Sequence, residues 1–149
     1  MVGVKDSCGN LAQSLDLLRR RPSGFSVMTG DDASFYTLLA HGADGGILAS
    51  AHLETEHFVA MHERMAANDH RAARAIWSGL DALVSLLFRE ANPMPIKHVL
   101  WRRGLIASPE CRTTELGLSS CIEAPRARPG HNGWVPRHVV CESPIPVGR

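Results

Sequence analysis

The sequence predicts an α/β fold built on a parallel sheet. Two observations carry this. Three short β-type runs, residues 2–5, 25–29 and 46–50, alternate with helical segments. The steps between them, 23 residues from Val4 to Val27 and 20 from Val27 to Ile47, suit right-handed β-α crossovers in an open parallel sheet or a barrel wall. Beyond Ser50 the pattern is helical only, and it gives way near residue 111 to an irregular stretch. The expected organisation is therefore 1–52 for the β/α segment, 53–110 for a helical region and 111–149 for the tail.

Each element has its own signal. Val2-Gly3-Val4-Lys5 is a short apolar run ending on an amine. Asn10 is a helix N-cap, and Leu11, Leu15 and Leu18 share one face of the helix it opens. Arg19-Arg20-Arg21 suits the C-terminal end of that helix, and Pro22 stops it. The run 25–29 is the second strand. Gly30-Asp31-Asp32 reads as a turn with an acidic N-cap for a helix bearing Phe35, Leu38 and Leu39, closed by Gly42. The run 46–50 is apolar enough to be covered on both faces. Residues 54–67 carry Phe58, Met61 and Met65 at helical spacing. Asn68-Asp69 breaks that run and caps a helix over 71–89 with a broad apolar stripe, including Ala72, Ile76, Leu80, Leu83 and Leu87. Asn92-Pro93-Met94-Pro95 ends it, and Pro95 can start a last helix over 96–103 with Gly104 behind it.

Composition excludes several classes. Net charge is +1 and only 5% of residues are aromatic, so neither a basic nucleic-acid surface nor a base-stacking platform is expected. No apolar run has the length of a membrane-spanning helix, and the N-terminus lacks a signal-peptide pattern, so the cytoplasm is the expected compartment. The cysteines at 8, 111, 121 and 141 have no C-x-x-C spacing and read as free thiols. His52, His57 and His62 are five residues apart, which does not suit a shared metal on a helix. No dinucleotide, P-loop or nucleophile-elbow motif is present, so neither a metal nor a cofactor is expected. The tail holds five of the nine prolines, five arginines and no lysine, and it reads as irregular.

Lys5 is one of only two lysines and sits at the C-terminal tip of the first strand, with the turn Asp6-Ser7-Cys8-Gly9-Asn10 behind it. In parallel α/β proteins the chemistry gathers at those tips. An amine in apolar surroundings is disfavoured as a cation, and a neutral amine attacks carbonyls. A surface lysine just after a strand fits the same spacing.

Four segments in register extend the reading. Gly3-Val4-Lys5-Asp6-Ser7-Cys8-Gly9-Asn10, Thr29-Gly30-Asp31-Asp32, Gly45-Gly46-Ile47-Leu48-Ala49 and Asn92-Pro93-Met94-Pro95-Ile96-Lys97 resemble motifs of the dihydrodipicolinate synthase / N-acetylneuraminate lyase family, over about residues 2 to 112. The first three resemble that family's strands six, seven and eight. The resemblance implies a (β/α)8 barrel of which this chain holds only the C-terminal portion. It implies a class I lyase or aldolase that works on pyruvate through a lysine Schiff base, with an aldehyde-type second substrate and no cofactor. Lys5 would be the Schiff-base lysine, and Gly30 and Ile47 would line the pyruvate pocket. For Asp31 and Asp32, capping is the simpler role.

The departures are informative. By the resemblance, the first five β/α units are missing. With them go the Thr-Thr pair that holds the pyruvate carboxylate, the proton-shuttling tyrosine, and the arginine that meets the second substrate. The single tyrosine, Tyr36, matches no catalytic position. Three strands cannot close an eight-stranded barrel, so Lys5 is not fully desolvated. Lys5-Asp6-Ser7 replaces the more usual Lys-Glu-Ala and also fits sugar-acid aldolases. After Cys111-Arg112 the family pattern stops, and the composition of the tail points to a frameshifted or foreign C-terminus. Two functional expectations follow. One is an enzyme piece of the Schiff-base type. The other is a silent fragment or interaction module whose bare sheet edges drive homo-oligomers or other association.

Overall fold

In the computed structural model, which describes residues 1–111, the chain forms three parallel strands and five α-helices. The order is β1 (Gly3–Asp6), α1 (Leu11–Arg20), β2 (Ser26–Thr29), α2 (Phe35–Ala40), β3 (Gly45–Gly46), a single 3-10 turn (Ser50–His52), α3 (Thr55–Ala66), α4 (His70–Leu87) and α5 (Met94–Arg102). The sheet order is β1-β2-β3, with Lys5 opposite Met28, Asp6 opposite Thr29, and Thr29 opposite Gly46. The parallel α/β expectation is met. The tail expected over 111–149 lies outside the described residues except for Cys111.

Side chains alternate across a strand, so the register sorts the sheet into two faces. Val27 and Thr29 are buried on the face that the helices cover. Lys5, Met28 and Ile47 lie on the other face, where Lys5 and Ile47 are exposed. The third strand is therefore not covered on both faces. It is also shorter than its sequence predicts. A strand extends only as far as its neighbour, and β2 stops at Thr29. The last rung is the Ile47 N–H donating to the Thr29 carbonyl at 2.8 Å, after which the chain turns away.

The core lies between the sheet and the C-terminal helices. Phe35 and Leu39 of α2, Leu48, Phe58, Met61 and Met65 of α3, and Ala73, Leu80 and Val84 of α4 form one cluster. Phe35 and Phe58 meet as a tilted ring pair with centroids 5.6 Å apart, a favoured aromatic geometry. A second cluster joins Leu53, Leu83, Leu87, Ile96 and Val99, and seats α5. Arg103 ties the same corner by donating to the Leu53 carbonyl at 3.0 Å and to Glu54 Oε1 at 3.2 Å.

Local signals account for the helix starts. Asn10 accepts the Gln13 N–H at 3.2 Å, and Asp69 accepts the Ala72 N–H at 3.1 Å, so both are working N-caps. The start of α2 differs from expectation. Its N-cap position is Ser34, whose side chain makes no capping bond, and Asp32 turns elsewhere. At the opposite end of the sheet Asp44 accepts the Val27 N–H at 2.8 Å and pairs with Arg21 at 2.5 Å. That carboxylate ties the C-terminal end of α1 and the start of β2 to the segment entering β3.

Candidate functional site

The tips of all three strands converge at one end of the sheet. Lys5 arrives there because Gly3, Val4, Lys5 and Asp6 all pair with β2, which puts Lys5 one residue before the end of β1. Gly30 arrives one residue past β2, and its N–H donates to the Asp6 carbonyl at 2.6 Å. Ile47 arrives one residue past β3. The structure thus brings together Lys5, Gly30 and Ile47 along one edge of the sheet's open face.

The Lys5–Gly30 contact explains the glycine. A methyl group on Gly30 would collide with Cε of Lys5 and Oγ of Ser7, and would sit 3.1 Å from Lys5 Cγ. The lysine stem therefore lies across the bare Cα of Gly30. Ser7 Oγ crowds the same point, so its hydroxyl is a near neighbour of the lysine's end. Gly46 is bare for a different reason. A Cβ there would come 2.9 Å from the buried ring of Phe35, so this glycine seats β3 on the core.

Two carboxylates brace this end. Asp6 follows Lys5 and points to the helix side. It accepts the Ser14 hydroxyl at 2.5 Å and the Cys8 N–H at 3.0 Å. The Ser14 hydrogen bond is the main cause that holds Asp6 below the ordinary carboxylate range, against a smaller opposing effect of burial. Asp32 is only 2% exposed. It accepts the Ser50 N–H at 2.7 Å, the Ala49 N–H at 3.3 Å and the Ser50 hydroxyl. Asp32 is thus a cap, as its sequence context indicates, but it caps the turn after β3 and leaves α2 alone. Asp31 lies beside it, its N–H donating to the Thr29 hydroxyl at 3.1 Å.

Sequence reasoning missed Ser14 and Ser50. Ser50 is fully buried, and Ser14 is the one buried residue of α1, although that helix carries four leucines. A buried serine amid leucines is a legible signal that a polar partner waits. Of the histidine series, His52 lies in the 3-10 turn that Asp32 caps. His57 pairs with Glu54 at 3.1 Å and His62 faces the Asp44 carbonyl. Among the described residues no group of three or more His, Cys, Asp or Glu could hold a metal ion. Lys97 donates to the Glu110 carbonyl, which fastens α5 to the last described segment. No described helix is long and apolar enough to cross a membrane.

These features define a parallel α/β protein whose candidate site gathers at the carboxyl ends of its strands, on the face away from the helices. A family model described as the Dihydrodipicolinate synthetase family matches residues 1–120, and the chain belongs to that family. It is similar to 4-hydroxy-tetrahydrodipicolinate synthase 2 of Clostridium acetobutylicum, with 48% identity over 83% of this chain and 43% of that protein. It is also 42% identical to the 4-hydroxy-tetrahydrodipicolinate synthase of Nitrosomonas europaea, over 71% of this chain and 36% of that one. Among solved structures, the 4-hydroxy-tetrahydrodipicolinate synthase of Methylacidiphilum fumariolicum SolV superposes with a TM-score of 0.76 at 28% identity, over 82% of this chain and 40% of that chain. The chloride-inhibited dihydrodipicolinate synthase of Acinetobacter baumannii, solved with pyruvate, gives a TM-score of 0.74 at 27% identity over 82% and 42%. The chain thus spans about two-fifths of the length of the proteins it matches. Its three-stranded parallel sheet with helices is consistent with part of such a barrel.

Proposed function

We propose that this chain carries the amine part of a cytoplasmic, pyruvate-dependent lyase, with Lys5 as the Schiff-base nucleophile. The observation that carries the reading is the placement of Lys5 at a strand tip, lying across Gly30, in a chain of this family. In the proposed reaction the neutral amine of Lys5 adds to the C2 ketone of pyruvate. The carbinolamine loses water to give an iminium. Loss of a proton from the methyl carbon then yields an enamine, the iminium acting as electron sink. The enamine carbon attacks an aldehyde-type second substrate, and hydrolysis of the new iminium returns the lysine. Gly30 and Ile47 are proposed to line the pyruvate pocket, with the bare Cα of Gly30 leaving room for the lysine stem. Lys5-Asp6-Ser7 also supports a sugar-acid aldolase as the particular member.

The test is a borohydride trap. The chain is incubated with pyruvate, reduced, and mapped by mass spectrometry, with Lys5→Ala as control. An adduct confined to Lys5 is the expected result, in low yield because the open face leaves the amine exposed. Lys97 is the only other lysine, so an adduct spread over both, or retained in Lys5→Ala, overturns the reading.

A second reading rests on the open face. Lys5 and Ile47 are exposed, and among the described residues no strand pairs with the outer edge of β1. Those features support a catalytically silent or weakly active chain that associates through its sheet edges, with copies of itself or with other segments. No trapped adduct alongside a folded circular dichroism spectrum would favour it.

A further inference from the structure

α1 gives its best-buried position to a serine. Of its ten residues only Ser14 is buried, at 6% exposure, while Leu11 is exposed and Leu15, Leu17 and Leu18 are half-buried. A hydroxyl gains nothing from burial unless it is bonded. Here its proton goes to Asp6 Oδ2 at 2.5 Å. The other carboxylate oxygen takes the Cys8 N–H at 3.0 Å, and the Asp6 carbonyl takes the Gly30 N–H at 2.6 Å. One residue therefore fixes three pieces: the end of β1, the N-terminal turn of α1, and the glycine across which Lys5 lies. The anion also faces the positive end of α1, which favours it further.

We propose that Asp6 is a positioning residue for Lys5, acting through Ser14. The role rests on the reading of Lys5 as the Schiff-base amine. Asp6 points away from the amine's face and touches no reacting atom. It sets where the Lys5 backbone stands relative to Gly30, and so where the lysine stem crosses. Tight placement matters because a reacting amine loses rate steeply when its line of approach is shifted.

The discriminating pair is Ser14→Thr and Ser14→Val. The two side chains have nearly the same size and branching, and only threonine keeps the hydroxyl. A packing role treats them alike. A positioning role does not: Ser14→Val is expected to lower the rate of pyruvate–borohydride trapping at Lys5 about tenfold while Ser14→Thr stays within about twofold of the parent, the scale of losing one charge-assisted hydrogen bond. The far-ultraviolet circular dichroism spectrum is the reference for folding and stays unchanged in both variants. Amide hydrogen exchange at Gly30 and Cys8 reads the same clamp with no carbonyl compound present. It is expected to accelerate about tenfold in Ser14→Val and in Asp6→Ala, and not in Ser14→Thr. Equal trapping and equal exchange in the valine and threonine variants overturn the proposal. A parent chain with protected Gly30 and Cys8 amides but no Lys5 adduct overturns it differently: the clamp then stands, and the Schiff-base reading fails together with the role given to Asp6.

Discussion

The side chain of Lys5 runs across the bare Cα of Gly30, so the two residues exclude any substituent between them. The excluded volume falls on the Lys5 stem and the Ser7 hydroxyl rather than on backbone. Gly30→Ala is therefore expected to swing the amine out toward solvent with little loss of stability, under about 1 kcal/mol. Trapping of pyruvate at Lys5 should fall by tenfold or more, on the order of a 1 Å misplacement of a reacting group. Parent-like trapping in Gly30→Ala would separate the glycine from the lysine's function.

Gly46→Ala makes the contrast. Its new methyl meets the Phe35 ring inside the core, where nothing swings free. A stability loss of about 1–3 kcal/mol is expected from overpacking, read as a lowered urea midpoint. A variant as stable as the parent would mean that β3 lifts off the core without cost.

Asp32 holds the turn after β3 from a buried position. Asp32→Ala leaves two backbone N–H groups of that turn without their acceptor. The expected cost is about 2–4 kcal/mol in urea unfolding, since an unsatisfied buried donor loses its whole solvation. Ser50→Ala removes one donor and leaves the carboxylate its two amides, so it should cost less. Equal costs would show that the hydroxyl carries the contact.

Acid should loosen the two ends of the sheet. Asp6 is held below the ordinary value of 3.8 chiefly by the Ser14 hydroxyl, and Asp44 chiefly by the Val27 N–H, with Arg21 adding attraction. Both pKa values are depressed in the folded chain, so the unfolded chain binds more protons as pH falls past 3.8. Their stabilisation is complete above that value and is lost as pH drops through the lower folded values. Urea midpoints measured from pH 6 to pH 2.5 should fall in that window. Asp44→Asn should flatten part of the fall, and an unchanged slope would remove Asp44 from the account.

The open sheet face and the outer edge of β1, unpaired among the described residues, predict self-association. Light scattering should give a mass that rises with concentration. A sharp monomer peak independent of concentration would show that the edges are guarded some other way.

How much of this was written in the sequence depends on the range of the interaction. Asn10 and Asp69 act on amides three residues ahead, and both caps are legible. The β-α spacing points to the parallel sheet, and four motif segments in register, from Lys5 to Lys97, point to the family. The length of β3 was not legible, because Ile47-Leu48-Ala49 has strand composition but β2 ends too early to pair with it. Asp32 was read as a local cap because its true partner lies 18 residues away. Leu11, Leu15 and Leu18 share one face of α1, yet among the residues of that helix only Ser14, on the same face, is buried.

Asp32 belongs to the loop after β2, and Ser50 to the turn after β3. Two hydrogen bonds join Asp32 to Ser50 and a third joins it to Ala49, so the two connections cannot fray one at a time. If either opens, Gly30 and Ile47 are released together. Motion at this end should thus be a rare, all-or-none event, visible as correlated amide exchange in both segments rather than as independent loop wandering.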